Sequence, residues 1–137
     1  MRLTKLKGCG VVNVPQKSNI DWERKISAPQ LFVKQFLFPY WKRDVVCEEF
    51  LIPGSKLRLD LFNMSKGIVV EVSPDNYHKT YNNWLHKTRV SFSEKVKNDE
   101  QKLLWCNSNN IHFIELYDQD LDNLSHEYIK QKYGIHL

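Results

Sequence analysis

VVCEEFLIPGSKLRLDLFNMSKGIVVEVS, residues 45–73, is the stretch that decides the fold class. It reads as three consecutive strands, VVCEEFLIPGS, KLRLDLFNMS and KGIVVEVS. In the second, Leu57, Leu59 and Leu61 alternate with Arg58, Asp60 and Phe62, the two-residue period of a half-buried strand. In the third, Ile68, Val70 and Val72 alternate with Val69, Glu71 and Ser73. The Asn63–Gly67 segment suits a tight connection, because Asn and Gly reach backbone conformations closed to most residues. Pro53-Gly54-Ser55 makes the preceding turn. Pairing as neighbours places the apolar rows on one face and Asp60 with Glu71 on the other. Two acids facing each other in an apolar segment repel and lose hydration. A divalent cation with oxygen ligands is their natural partner. In the first strand Cys47, Glu49 and Leu51 share one side, and Val46, Glu48, Phe50 and Ile52 the other. Alternation leaves open whether Glu48 or Glu49 joins the acidic pair.

Outward from this core, Ser27-Ala28-Pro29 starts a helix with a hydroxyl cap and an early proline. QLFVKQFLFPYW then sets Phe32, Val33, Phe36, Leu37 and Tyr40 on a broad apolar face, so its aromatics are expected in the core. Pro39 is expected to end or bend it. Residues 1–26 read as a mixed N-terminal arm. LKGCGVVNV is a short strand or an extended segment, Pro15, Ser18 and Asn19 interrupt it, and Trp22 anchors it. Lys5, Lys7 and Lys17 would contact phosphates if that arm is mobile. After the third strand, Ser73-Pro74-Asp75-Asn76 favours a loop. NYHKTYNNWLHK then brings His78, Lys79, Trp84, His86 and Lys87 close in sequence to the acids. Ser91 to Asn107 reads as a helix, with Phe92, Val96 and Leu103 on one stripe and Lys95 and Lys102 beside it. IHFIELY is a fourth strand, in which Ile111, Phe113 and Glu115 alternate with His112, Ile114 and Leu116. A last helix begins near Asp120, turns Leu121, Leu124 and Tyr128 inward and stops at Gly134. The order is α-β-β-β-α-β-α, an α/β arrangement of helices flanking a mixed central sheet over residues 27–137.

Composition bounds the function classes. At 137 residues the chain is most simply one domain, and 42% hydrophobic with 12% aromatic residues argues against disorder. No apolar run approaches the ~20 residues that cross a bilayer. MRLTKLKGCG lacks the hydrophobic section of a secretory signal, so an intracellular protein with no membrane partner is expected. Cys9, Cys47 and Cys106 have neither disulfide-framework nor zinc-ligand spacing and read as free thiols. A formal charge of +4 is compatible with a polyanionic partner.

The ordered residues Asp60 and Glu71-Val72-Ser73 on adjacent strands resemble the core of the PD-(D/E)xK nuclease superfamily. More narrowly, EEFLIPGSKLRLDL and KGIVVEVSPDNYHK are similar to phage-encoded, very-short-patch-repair-like endonucleases. The likeness runs from Ser27 to Leu121. It implies a restriction-endonuclease-like core and Mg²⁺- or Mn²⁺-dependent hydrolysis of DNA phosphodiesters, in host cytoplasm for a phage-encoded enzyme. Asp60, Glu71 and the Val72 carbonyl would hold the metal. The family pattern selects Glu49 for a second-metal or water-orienting role and matches His78 to the family's histidine. Ser73 departs from the pattern, standing where the superfamily carries its lysine. In such proteins a helix can supply the missing cation, which makes Lys102 the candidate. Lys56, Arg58, Lys79, Lys87 and Arg89 surround the expected cleft in sequence and would contact DNA. RNA is not excluded as a substrate, and a double-strand break would require a homodimer, a partner or two visits. Loss of the strand lysine also fits a nuclease fold kept for nucleic-acid binding or assembly without cleavage.

Overall fold

A computed structural model describes residues 1–73 and 89–137, and within the latter the side chains of residues 89–93 and 95 lie outside the description. Among the described residues the chain is a mixed α/β protein whose main sheet has four strands. They are β3 (Val46–Leu51), β4 (Arg58–Asn63), β5 (Ile68–Val72) and β6 (His112–Leu116), in spatial order β3-β4-β5-β6. β3 and β5 both run antiparallel to β4, and β6 lies parallel to β5. A separate antiparallel hairpin, β1 (Arg2–Thr4) with β2 (Val11–Asn13), precedes them.

The sheet is covered on both faces. One face packs Val46, Leu61, Ile68, Val70, Ile114 and Leu116 against Val33, Leu37 and Trp41 of α1 (Ala28–Trp41) and Ile129 of the C-terminal helix. The other packs Cys47, Leu59, Phe62 and Val69 against Leu3 of the hairpin and Trp105 and Cys106 of α2 (Arg89–Ser108). The expected half-buried strands are therefore corrected: Phe62 and Val69 are as completely buried as Leu61.

The strict alternation read for β3 and β4 is also corrected. Glu49 adopts φ 55, in the left-handed region that side chains other than glycine occupy at a cost of about 1–2 kcal/mol. Paired positions Glu48↔Leu61 and Phe50↔Leu59 flank it, with no ladder pair at Glu49 itself. The kink shifts the phase of both strands, so Phe50 and Leu59 join Cys47 and Phe62 on the α2 face.

Ser27 caps α1 as its sequence requires, accepting a hydrogen bond from the Gln30 N–H at 3.2 Å. Pro39 neither stops nor replaces the last turn, since Lys42 N–H still donates to Phe38 O at 2.9 Å. Pro39 lies inside α1, where it lacks the N–H that would otherwise donate one turn back. The buried stripe of α1 is Gln30, Val33, Lys34, Leu37 and Trp41, while Phe32, Phe38 and Tyr40 are exposed. This corrects the expected face for Phe32 and Tyr40, which leave the core, while Val33, Leu37 and Trp41 lie within it and Phe36 packs against it. A charged requirement inside the protein, the Lys34 partner described below, sets the helix rotation. The displaced rings meet other rings instead: Phe38 sits edge-on to Trp22 at 5.4 Å, and Tyr40 stacks on His126 at 5.5 Å.

α2 likewise presents a different stripe from the one expected. Val96 and Leu103 are exposed, and Trp105 and Cys106 are buried. The final helix is two: α3 (Asp118–Leu121) and α4 (His126–Tyr133), the latter capped by Ser125 and closed by Gly134 at φ 69. Between them Asp120 is fully buried and accepts from Lys132, Tyr128 and, at 2.8 Å, the Tyr117 N–H. Burial alone would raise its carboxyl, but these donors outweigh it and hold the group below the usual range. No helix of the described residues is long and apolar enough to cross a membrane.

Candidate functional site

The β4–β5 ladder runs from Asn63↔Ile68 to Leu61↔Val70, and at the next position stand Asp60 and Glu71. There the two side chains take over the backbone's hydrogen bonds. Asp60 N–H donates to Glu71 Oε1 at 2.9 Å, and Val72 N–H donates to Asp60 Oδ2 at 2.9 Å. This reciprocal bracing satisfies two buried donors where the strands part and fixes both carboxylates side by side. Glu71 is buried and Asp60 half-buried.

Packing two acids together has an electrostatic consequence. Burial raises the Asp60 carboxyl, against the opposing pull of the Val72 N–H and Lys102. Burial, followed by repulsion from Asp60, pushes Glu71 up to about 8. The compensating charge comes from α2: Lys102 Nζ lies 3.2 Å from Glu71 Oε2. Among the described residues one lysine thus stands against a buried and a half-buried acid.

An open cleft of about 440 Å³ lies over this group. Glu49, Lys56, Leu57, Arg58 and Asp60 line it from the β3–β4 side, and Glu94, Asn98, Asp99 and Lys102 from α2. The choice between Glu48 and Glu49 is resolved by where each side chain goes. Glu48 turns to the α1 face and is held by Lys34 at 2.9 Å and by Gln30 Nε2 at 3.0 Å. Glu49 turns to the cleft, with the same Gln30 amide 3.4 Å from its Oε1. Arg58 Nη1 donates to the Glu49 carbonyl at 3.2 Å, bracing the kinked residue from the cleft side.

Ser73 is buried, and its hydroxyl donates to Glu115 Oε1 at 2.8 Å. Glu115 stands opposite Glu71 in the parallel β5–β6 register, so the sheet face under α2 carries a third carboxylate. Reading the residues for a site passed over Glu115, although its place in the row of Ile111 and Phe113 was a usable signal: an acid in an inward-facing row calls for a partner. Asp99, Asn98 and Glu94 were also absent from the expected site, because isolated polar residues on a helix carry no signal of their own. The Cys106 thiol, raised to about 12 by burial and then by Glu71, is a packed group and no nucleophile.

Of the residues expected to act, Glu49, Asp60, Glu71 and Lys102 converge, with Lys56 and Arg58 on the lining. His78, Lys79 and Lys87 lie outside the described residues, as does the side chain of Arg89, the first residue of α2. Among the described residues no three His, Cys, Asp or Glu side chains close around a common point. The donors that Asp60 and Glu71 offer an ion are carboxylate oxygens. That set fits Mg²⁺ or Mn²⁺, which bind through one or two carboxylates and keep several waters.

Comparison with models of known protein families, with curated proteins and with solved structures finds no match.

Proposed function

We propose that this chain is a metal-dependent endonuclease that hydrolyses DNA phosphodiester bonds on a restriction-endonuclease-like core, a phage type by its resemblance. The observation that carries the reading is the buried Asp60–Glu71 pair, braced into the end of a ladder and faced by Lys102 within an open cleft. A purely structural pair of acids would be expected to recruit as many cations as anions. Here, among the described residues, one lysine faces two carboxyls, and burial leaves Glu71 holding up to about pH 8 a proton that a divalent cation would displace. The strand order, antiparallel, antiparallel, then parallel, supports the same core.

In this reading Asp60, Glu71 and the Val72 carbonyl hold Mg²⁺ or Mn²⁺. The bound ion supplies an activated water and neutralises charge on the attacked phosphate. Glu49, on the same wall as Asp60, would orient a water toward the phosphate. Lys102 pulls the Glu71 carboxyl toward its ionised form, against burial and Asp60, and would stabilise the extra negative charge of the transition state, the part left vacant by Ser73. His78 donates a proton toward the phosphate or leaving group. Lys56 and Arg58 contact the DNA backbone, and Lys79, Lys87 and Arg89 extend that contact.

A second reading, a nuclease fold that binds nucleic acid or a partner without cutting, is favoured by one observation: Ser73 is engaged by Glu115 and offers the cleft no cation. Nicking of supercoiled plasmid in Mg²⁺ and in Mn²⁺ separates the two. The wild type is expected to nick, and Asp60→Ala to lose all measurable activity while keeping its circular-dichroism spectrum. Equal nicking by both proteins would remove Asp60 from the mechanism. Absence of nicking by the wild type, together with no heat of Mg²⁺ or Mn²⁺ binding, would leave the second reading.

A further inference from the structure

The first twenty residues contain Arg2, Lys5, Lys7 and Lys17 and no acid. These four account for the whole formal charge of +4, since the rest of the chain holds sixteen basic and sixteen acidic residues. Among the described residues the cleft lining shows no such surplus, since Glu49, Asp60 and Glu94 already match Lys56, Arg58 and Lys102 in number. A polyanion approaching that lining meets no net attraction unless cations stand at the rim.

The hairpin, which carries Arg2, Lys5 and Lys7 of these four, is tied at both sides of the cleft to residues just beyond its lining. On the α2 side, Trp105 Nε1–H donates to Thr4 O at 2.7 Å. Asn109 grips the same residue twice, accepting from Thr4 N–H at 3.0 Å and donating to Thr4 Oγ1 at 2.9 Å. On the β3–β4 side, Leu6 N–H donates to Pro53 O at 2.8 Å. Gly54, at φ 76, is the point of closest approach, where a Cβ would lie 2.9 Å from Lys7 O and 3.0 Å from Lys5 Cβ. Lys5 and Lys7 are exposed and are thereby set beside the turn that leads into Lys56 and Arg58.

We propose that the docked hairpin is a phosphate-contacting wall for duplex DNA, in which Lys5 and Lys7 extend the Lys56–Arg58 side of the cleft. The choice of DNA rests on the endonuclease reading; the location of the surplus charge and the attachment of the hairpin at both sides of the cleft do not. Backbone contacts of this kind position the duplex without reading its sequence.

The test is equilibrium binding of a fluorescent duplex of mixed sequence, in Ca²⁺, across a series of salt concentrations. The full-length wild type is compared with Lys5→Gln/Lys7→Gln. A control, Lys42→Gln/Lys130→Gln, removes the same charge from exposed positions at the end of α1 and on α4, helices that pack on the other face of the sheet. The hairpin variant is expected to bind about tenfold more weakly, with the slope of log K against log salt shallower by about 1–2. The control is expected to keep the wild-type slope. Gly54→Ala, which keeps every charge but forces the hairpin off its seat, is expected to weaken binding as well. A hairpin variant that tracks the control overturns the proposal and leaves the endonuclease reading standing. Hairpin-dependent binding with no plasmid nicking upholds the proposal and defeats that reading. No duplex binding by the wild type overturns both.

Discussion

Two Glu–Lys pairs join strands to helices on opposite faces of the sheet, and they differ in how completely they are satisfied. Under α1, Lys34 is 0% exposed and Glu48 5%, and Nζ donates to Glu48, to the Asp21 carbonyl and to the Arg24 carbonyl. Glu48 also accepts from Gln30, and its backbone N–H is taken by Asn19 Oδ1 at 2.7 Å. One cation meets one anion and the ammonium's three hydrogens are all used. Under α2, Lys102 is 14% exposed and Glu71 6%, and a second acid shares the lysine's field. The first pair is closed and serves to orient α1. The second, among the described residues, sets one lysine against two carboxyls beside an open cleft, and the proposed function rests on that contrast.

The difference can be broken directly. Lys34→Met strands the Glu48 carboxylate in the interior, and a loss of about 3–5 kcal/mol in urea denaturation is expected. Lys102→Met removes a cation from a partly wet site whose remaining acid pair can hold a proton. Its expected loss of stability is below about 2 kcal/mol, while plasmid nicking falls by about a hundredfold. Equal destabilisation by the two substitutions would mean that Lys102 is only structural.

The next test is pH. Glu71 is raised to about 8 in the folded protein from 4.5, so between those values the native state binds more protons than the unfolded chain. Stability from this group is therefore full below pH 4.5 and is lost as pH rises through 8. Without added divalent cation, Tm should fall by several degrees, ~3–5 °C, between pH 5 and pH 8. Glu71→Gln should flatten that slope, and a Tm profile unchanged by the substitution would refute the cause assigned here.

The smallest effect is expected at Glu49. Its left-handed backbone suits asparagine better than glutamate, so Glu49→Asn should leave stability unchanged or raise it by up to about 1 kcal/mol. Nicking should nevertheless drop, because the carboxylate is removed from the cleft. Destabilisation with full activity would place Glu49 with Glu48 as a structural acid.

Much of this organisation is written in local pattern. Ser27 and Pro29, the Asn63–Gly67 turn, Gly134 and the strand periods of residues 45–73 mark the elements, since caps, turns and alternation act over a few residues. The facing of Asp60 and Glu71 follows as well, because a tight turn between two strands leaves little choice of register. Rotation of the helices was not legible in the same way. Phe32 and Tyr40 are more apolar than Gln30 and Lys34, yet the latter two face the interior, where Lys34 and Gln30 meet Glu48. Val96 and Leu103 were misread for the same kind of reason: α2 turns Lys102, Trp105 and Cys106 inward, toward groups far away in the chain. The choice of Glu49 over Glu48 depends on a kink in the backbone, and no propensity announces a left-handed glutamate.

By itself, then, the sequence determined the order of the elements, the turn-coupled pair of acids and the location of the excess charge, all properties of neighbouring residues. The tertiary structure alone decided which faces the helices bury, which glutamate reaches the cleft, and that Lys102, Ser73 and Glu115 meet on one side of the sheet. Those outcomes depend on satisfying buried charges with partners distant along the chain, a condition met only when the whole fold has closed.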